Sequence, residues 1–156
     1  MQTVRIALYQ PDIPQNCGAM MRLCACMGVG MDVIEPCGFA WDERKIRKSA
    51  MDYFDQANIM RYSSWERFYD SCHGKARIIL MTTKASVPYH RFAFEPDDIL
   101  LAGRESAGVP DFIHERADGR IFVPMTQGAR SLNVVNATSM ILGEALRQTG
   151  LLPESF

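Results

Sequence analysis

Apolar runs of four to six residues recur along this chain, and most stop abruptly at a proline or polar residue ahead of a segment with helical signals. Val4-Arg5-Ile6-Ala7-Leu8-Tyr9 ends at Gln10-Pro11-Asp12, and Pro14 with Asn16 then supplies a helix start. Met31-Asp32-Val33-Ile34-Glu35 ends at Pro36, and the charged segment Asp42 to Asp52 reads as a short exposed helix. Ile59 to Tyr62 forms a third run, after which Ser63-Ser64-Trp65-Glu66 has the S-x-x-E spacing of a capping box for a helix reaching about Cys72. Ala76 to Met81, Asp98 to Ala102 and Arg120 to Val123 complete the set of strands. A helix from about Asn133 to Thr149 closes the pattern, with Gly150 as its stop. Strands alternating with helices predict an α/β fold: a mostly parallel sheet with helices on both faces. Ala85 to Pro96 lacks periodicity and reads as a functional loop.

A chain of 156 residues has the length of one domain, so residues 1–156 are expected to share a single core. The net charge of -1 gives no global nucleic-acid signal, so an RNA surface must be local and no DNA partner is expected. Met1-Gln2-Thr3-Val4-Arg5 lacks the layout of a signal peptide, and no apolar stretch approaches the roughly 20 residues that cross a bilayer. A cytoplasmic protein without a membrane partner is the expectation. Cys17, Cys24, Cys26, Cys37 and Cys72 form an odd set without a repeated C-x-x-C spacing, which predicts reduced thiols and no metal site.

Three polar islands interrupt the pattern near strand ends: Asn16-Cys17-Gly18-Ala19-Met20-Met21-Arg22, Gly103-Arg104-Glu105-Ser106-Ala107-Gly108-Val109-Pro110, and Arg130-Ser131-Leu132-Asn133-Val134-Val135-Asn136-Ala137. Loops of this composition can converge at the strand ends of an α/β sheet. Gly103 to Gly108 has the G-x-x-x-x-G spacing of a phosphate loop, but Val109 and Pro110 stand where Lys and Ser or Thr would engage phosphate and magnesium. No G-x-G-x-x-G follows the first strand, so a dinucleotide site is also unsupported. A plain turn and a ligand loop both remain open for this island.

Arg22 lies among Met20, Met21, Leu23 and Ala25, where a guanidinium is costly to bury without an anion. An interhelical salt bridge and a place in a cleft are both compatible with that setting. Arg44, Lys45, Arg47 and Lys48 form a basic run suited to phosphate contact, although a solvated helix has the same composition. Trp41, Tyr53 and Phe54 nearby could stack on bases or pack into the core.

Taken in order and spacing, the islands resemble the SPOUT superfamily of RNA methyltransferases, most closely its small members that methylate the 2′-hydroxyl of the tRNA wobble nucleotide. The resemblance also covers Ile34-Glu35-Pro36-x-Gly38-Phe39-Ala40-Trp41-Asp42, Asp52-Tyr53, Thr82-Thr83-Lys84 and Val123-Pro124-Met125, and so nearly the whole chain. It implies an α/β fold whose C-terminal segment is threaded into a deep trefoil knot, an exception to generic topology rules. It further implies a homodimer, S-adenosylmethionine as methyl donor, S-adenosylhomocysteine as product, and the anticodon stem-loop of tRNA, with tRNA-Leu isoacceptors as substrates.

Carried onto these residues, the resemblance places the cofactor against Met81, Thr82, Gly103, Glu105, Val123, Met125, Ser131, Leu132 and Asn136. Arg22, Ser131, Asn133, Glu105 and Asn16 become the catalytic set. Arg22, Arg44, Lys45, Arg47, Lys48 and Arg130 become the RNA contacts. A free guanidinium with a pKa above about 12 is a poor base, so Arg22 is expected to hold phosphate and stabilise a developing alkoxide. The chain departs from the family pattern at Ala19, Gly143, Leu146 and Met81. Competing readings are a SPOUT enzyme for another tRNA or ribosomal RNA position, a catalytically silent RNA-binding dimer, and a nucleotide-dependent oxidoreductase.

Overall fold

Successive side chains of a strand point to opposite faces, so a short run that is apolar throughout can feed two cores at once. The computed structural model, which describes residues 3–154, has this arrangement. Its strands are β1 (Arg5–Tyr9), β2 (Gly30–Ile34), β3 (Ile59–Tyr62), β4 (Ile78–Met81), β5 (Val87–Pro88), β6 (Ile99–Ala102) and β7 (Gly119–Phe122). They form one sheet in the order β3-β2-β1-β6-β4-β7-β5, and every pairing is parallel. The helices are α1 (Pro14–Met27), α2 (Glu43–Ala50), α3 (Trp65–Cys72), α4 (Asp111–Arg116) and α5 (Val134–Thr149).

Ile6, Leu8, Met31, Val33, Ile79 and Leu100 face one way and pack with Met20, Met21, Ile46, Ile141 and Leu142, joining α1, α2 and α5 to that face. Ala7, Tyr9, Ile34, Leu80 and Leu101 face the other way, toward Trp65 and Phe68 of α3 and Ile113 of α4. Ile141, Leu142 and Leu146 are each at most 1% exposed. At about 1.5–3 kcal/mol per buried side chain of this kind, their burial outweighs the propensity cost of the β-branched residues in α5. Gly18 lets α1 press against α2, since a Cβ there would lie 2.6 Å from the Ile46 carbonyl oxygen and from Ser49 Cβ.

Four expectations need adjustment. The sheet is parallel throughout rather than mostly so. The cap of α3 is Ser64, whose hydroxyl accepts from the Arg67 amide at 3.2 Å, so the Ser63–Glu66 spacing misplaces the cap by one residue. Residues 85–96 hold the edge strand β5 and a 3-10 turn, Tyr89–Arg91, rather than an irregular loop. Helix α4 escaped the sequence reading because six residues are too few to display a period. It is held by Pro110 at its N-cap, Asp111 in its first turn and the fully buried Ile113.

A parallel sheet puts the C-terminal ends of all strands along one edge. Chain order runs outward from β1 through β2 to β3 on one side, then crosses to β4 on the other and later returns to place β6 between β4 and β1. The β1/β6 boundary is therefore a topological switch point, where the loops diverge and leave a crevice. No helix among the described residues is long and apolar enough to cross a membrane, and all five cysteines are free.

Candidate active site

Beside the β1/β6 boundary, on its β6 side, a cleft of about 500 Å³ lies over the ends of β4, β6 and β7, with the first turn of α1 on one side and α5 on another. Its deeper wall is apolar: Leu80, Ala102, Ile121 and Ile141 are each at most 2% exposed. Asn16, Glu105, Arg130, Ser131 and Asn133 line it with polar groups. The three islands therefore share one cavity, although the first lies inside α1 rather than in a loop.

Hydrogen bonds tie these islands together. Asn133 Nδ2 donates to Asn16 Oδ1 at 3.4 Å, and Asn16 Nδ2 reaches Glu105 Oε1 at 3.5 Å. Glu105 Oε2 accepts from the Asp12 amide at 3.1 Å. Ser106 donates its hydroxyl hydrogen to Asp12 Oδ2, and Arg104 Nη2 lies 3.7 Å from the same oxygen. Asp12 is held down to about 2 by hydrogen bonding with Glu105, against burial, with further help from Ser106 and Arg104. Glu105 moves the other way, raised first by burial and then by its contact with Asp12. One carboxylate of the pair thus carries the charge more readily than the other.

The second island closes on itself. Arg104 N donates to the Gly108 carbonyl at 3.0 Å and Gly108 N to the Arg104 carbonyl at 2.8 Å. A Cβ on Gly103 would lie 2.7 Å from the Gly108 carbonyl carbon, so only glycine permits this closure. Of the two readings open for this island, the folded chain shows the tight turn, and the same loop also lines the cleft.

Of the expected cofactor residues, Met81, Thr82, Gly103, Glu105, Val123, Met125, Ser131 and Leu132 line the cleft. Asn136 does not line it: its side chain is exposed and its amide donates to Asn133 Oδ1 at 3.3 Å. Asn16 and Asn133, from the catalytic set, line the cleft, as does Arg130.

Arg22 stands outside the cleft. Its exposed guanidinium donates to Met51 Sδ at 2.9 Å and lies 5.8 Å from the centroid of the Tyr53 ring. Arg44, Lys45 and Lys48 are exposed on α2 and have no ion pair among the described residues. Arg47 differs, being paired with Asp55 at 2.9 Å and laid over the Phe54 ring at 4.2 Å. Trp41 and Phe54 pack partly against the core, and an arginine covers each ring.

Sequence reasoning missed Asp12 and Thr138. Asp12 gave no local signal, since its partners lie more than ninety positions away. Thr138 did give one: a hydroxyl in the buried stripe formed with Ile141, Leu142 and Ala145 on α5. It lines the cleft, is 0% exposed, and its Oγ1 has no hydrogen-bond partner among the described residues.

Residues 3–143 match the SpoU rRNA Methylase family. A Beijerinckia indica protein named tRNA (cytidine(34)-2'-O)-methyltransferase is 54% identical over 94% of this chain and 92% of its own length. A solved structure described as "Structural insights into the 2-OH methylation of C/U34 on tRNA" superposes with a TM-score of 0.89 at 30% identity, covering 94% of this chain and 96% of that one. An rRNA methyltransferase from Sinorhizobium meliloti, solved with AdoMet bound, shares the fold with a TM-score of 0.86 at 24% identity over 97% of this chain and 57% of its own.

Proposed function

The chain belongs to the SpoU methylase family, and from that premise we propose that it transfers a methyl group from S-adenosylmethionine to the 2′-hydroxyl of nucleotide 34, the wobble position, of tRNA. The observation that carries this reading is the cleft itself. All three islands meet there, in a chain alike over nearly its full length to proteins named for this reaction. The anticodon loop presents unpaired nucleotides whose ribose can reach such a site, and tRNA-Leu isoacceptors are the proposed substrates.

The cleft suits the cofactor. Its volume of about 500 Å³ lies within the usual range for small-molecule sites, and its wall is apolar while its polar side chains gather on the islands. The unpartnered Thr138 hydroxyl marks a place where a polar ligand atom is wanted. Met81, Thr82, Gly103, Val123, Met125, Ser131 and Leu132 would hold it. When bound, the sulfonium supplies an electrophilic methyl group.

The remaining work belongs to the chain. Asn133 and Asn16 fix the relative position of α5 and α1, and Glu105 fixes the loop before α1 through the Asp12 amide. Such positioning sets the in-line approach of the ribose oxygen. Arg22 holds substrate phosphate and stabilises developing negative charge on that oxygen as a permanent cation. Because Arg22 lies outside the cleft of its own chain, we infer a homodimer in which it serves the partner's site. Exposed Ile13 and Met140 support such a contact.

Arg44, Lys45 and Lys48, with Arg130 at the cleft, would track the RNA backbone, while Arg47 is partly committed to Asp55. We further infer that residues 1–156 act as one SPOUT methyltransferase domain in the cytoplasm, with the segment after β7 threaded as a trefoil knot. The insertion of β7 between β4 and β5, before the chain returns along α5 to pack on α1, supports that threading.

The test is methyl transfer from labelled S-adenosylmethionine to unmodified tRNA, with the product mapped by mass spectrometry in tRNA from cells with and without the protein. A 2′-O-methyl group at position 34 is expected, and Arg22→Ala should abolish it while leaving the fold and cofactor binding intact. Methylation elsewhere would overturn the substrate; a wild-type rate for Arg22→Ala would overturn the mechanism.

A further inference from the structure

Helix α5 carries three hydroxyl side chains, and two of them bond back to their own helix. Ser139 Oγ donates to the Asn136 carbonyl at 2.8 Å, and Thr149 Oγ1 to the Ala145 carbonyl at 2.8 Å. This is the ordinary fate of a hydroxyl inside a helix. Thr138 breaks the pattern. It is 0% exposed, its Oγ1 has no partner among the described residues, and it lines the cleft beside Leu80, Ala102, Ile121 and Ile141.

An unpartnered buried hydroxyl is destabilising, and valine would fill nearly the same volume without that cost. The stripe it belongs to is otherwise apolar, so packing gives no reason for the oxygen. A ligand atom from the cleft gives one, reached by a small shift of the lining side chains, since the hydroxyl is itself fully covered.

Resting on the cofactor assigned above, we propose that the Thr138 hydroxyl hydrogen-bonds the nitrogen edge of the adenine of S-adenosylmethionine, and so makes α5 a reader of the base. The polarity of the cleft chooses the adenine over the rest of the molecule. The methionine end bears an ammonium, a carboxylate and a sulfonium, whose desolvation is expensive, and so belongs with Asn16, Glu105, Ser131 and Asn133. Adenine is flat and weakly charged, and suits the wall formed by Leu80, Ala102, Ile121 and Ile141. A hydroxyl both donates and accepts, so it can meet a ring nitrogen or the exocyclic amine.

Calorimetric titration of the full-length protein separates the alternatives, using S-adenosylhomocysteine and 5′-methylthioadenosine, which keeps adenine and ribose but lacks the amino-acid end. Thr138→Val should weaken both ligands by about five- to tenfold, and Thr138→Ser should stay within about twofold of wild type. The ligand-free Thr138→Val protein should melt at or above the wild-type temperature, because an orphaned group has been removed. Unchanged affinity in Thr138→Val overturns the proposal, and a loss confined to S-adenosylhomocysteine overturns the adenine assignment. A lower melting temperature for the ligand-free valine variant shows that the hydroxyl serves the fold instead. A wild-type protein that binds neither ligand sinks the cofactor reading itself, and this assignment with it.

Discussion

Asn133 combines two duties that substitution can separate. Its Oδ1 accepts from the Val135 amide at 2.8 Å and the Asn136 amide at 3.3 Å, capping α5, while its Nδ2 donates to Asn16 across the cleft. Asn133→Ala removes both duties. Losing such a cap costs about 1 kcal/mol, which lowers the melting temperature of a chain this size by roughly 2–4 °C. Asn133→Asp keeps the capping acceptor oxygen and adds negative charge at a helix N-terminus, worth about 0.3–1 kcal/mol. It cannot donate to Asn16 Oδ1, and it brings a second carboxylate toward the Asn16–Glu105 contact. Thermal unfolding should therefore rank Asp at or above wild type and Ala below, whereas methyl transfer to tRNA should fall in both. If Asn133→Asp melts alongside Asn133→Ala, the capping argument fails. If it methylates at the wild-type rate, the cross-cleft donor is dispensable.

Two further outcomes follow from groups around the same sheet. Asp32 accepts from Arg5 at 2.6 and 3.1 Å, with only 3% of its side chain exposed, so Asp32→Ala leaves a half-buried cation uncompensated. Denaturant unfolding should show a loss of about 3 kcal/mol, the low end for a broken buried pair because Arg5 keeps some solvent; the double variant Arg5→Met with Asp32→Leu should recover much of it, and no recovery would count against the account. Glu105 has its folded value raised above 4.5, chiefly by burial, so the protonated form is favoured and the associated stability disappears as pH rises through that raised value. Asp12, lowered to about 2, acts oppositely and loses its contribution as pH falls from its ordinary 3.8 toward that value. Melting curves from about pH 4 to about pH 8 should thus decline with pH more steeply in wild type than in Glu105→Gln, and parallel profiles would refute the assignment.

Legibility differed among the parts of this molecule for physical reasons. The strands and α5 could be read because their signals are local: apolar runs bounded by Pro11, Pro36 and Pro124, and a helix bracketed by Asn133 and Gly150, whose φ of 72° is the left-handed stop. Rejection of the phosphate-loop reading was local too, resting on Val109 and Pro110. The bond from the Asp12 amide to Glu105 spans 93 positions and follows from the adjacency of β1 and β6, a register that no short window contains. Helix α4 was lost because its six residues depend on Ile113 reaching the α3 face, a tertiary fact. Thr138 lies between these cases. Its position in an apolar stripe was visible, but a back-bonded threonine and an orphan look identical until the neighbouring carbonyls are in place.

Arg22 gives this distinction a functional consequence. Its apolar neighbours made burial expensive, and the fold answers by turning the guanidinium outward onto Met51 and Tyr53. That arrangement satisfies the charge without assigning it to the chain's own cleft. A thioether is a weak acceptor, and a ring at 5.8 Å is a distant partner, so the guanidinium retains most of its capacity for an anion. An arginine held this loosely can move toward RNA phosphate or toward a site on a second subunit at little cost. One embedded in a bidentate pair, as Arg5 is, cannot. The difference in partners, more than the difference in position, is what leaves the Arg22 guanidinium able to meet an anion where Arg5 is not.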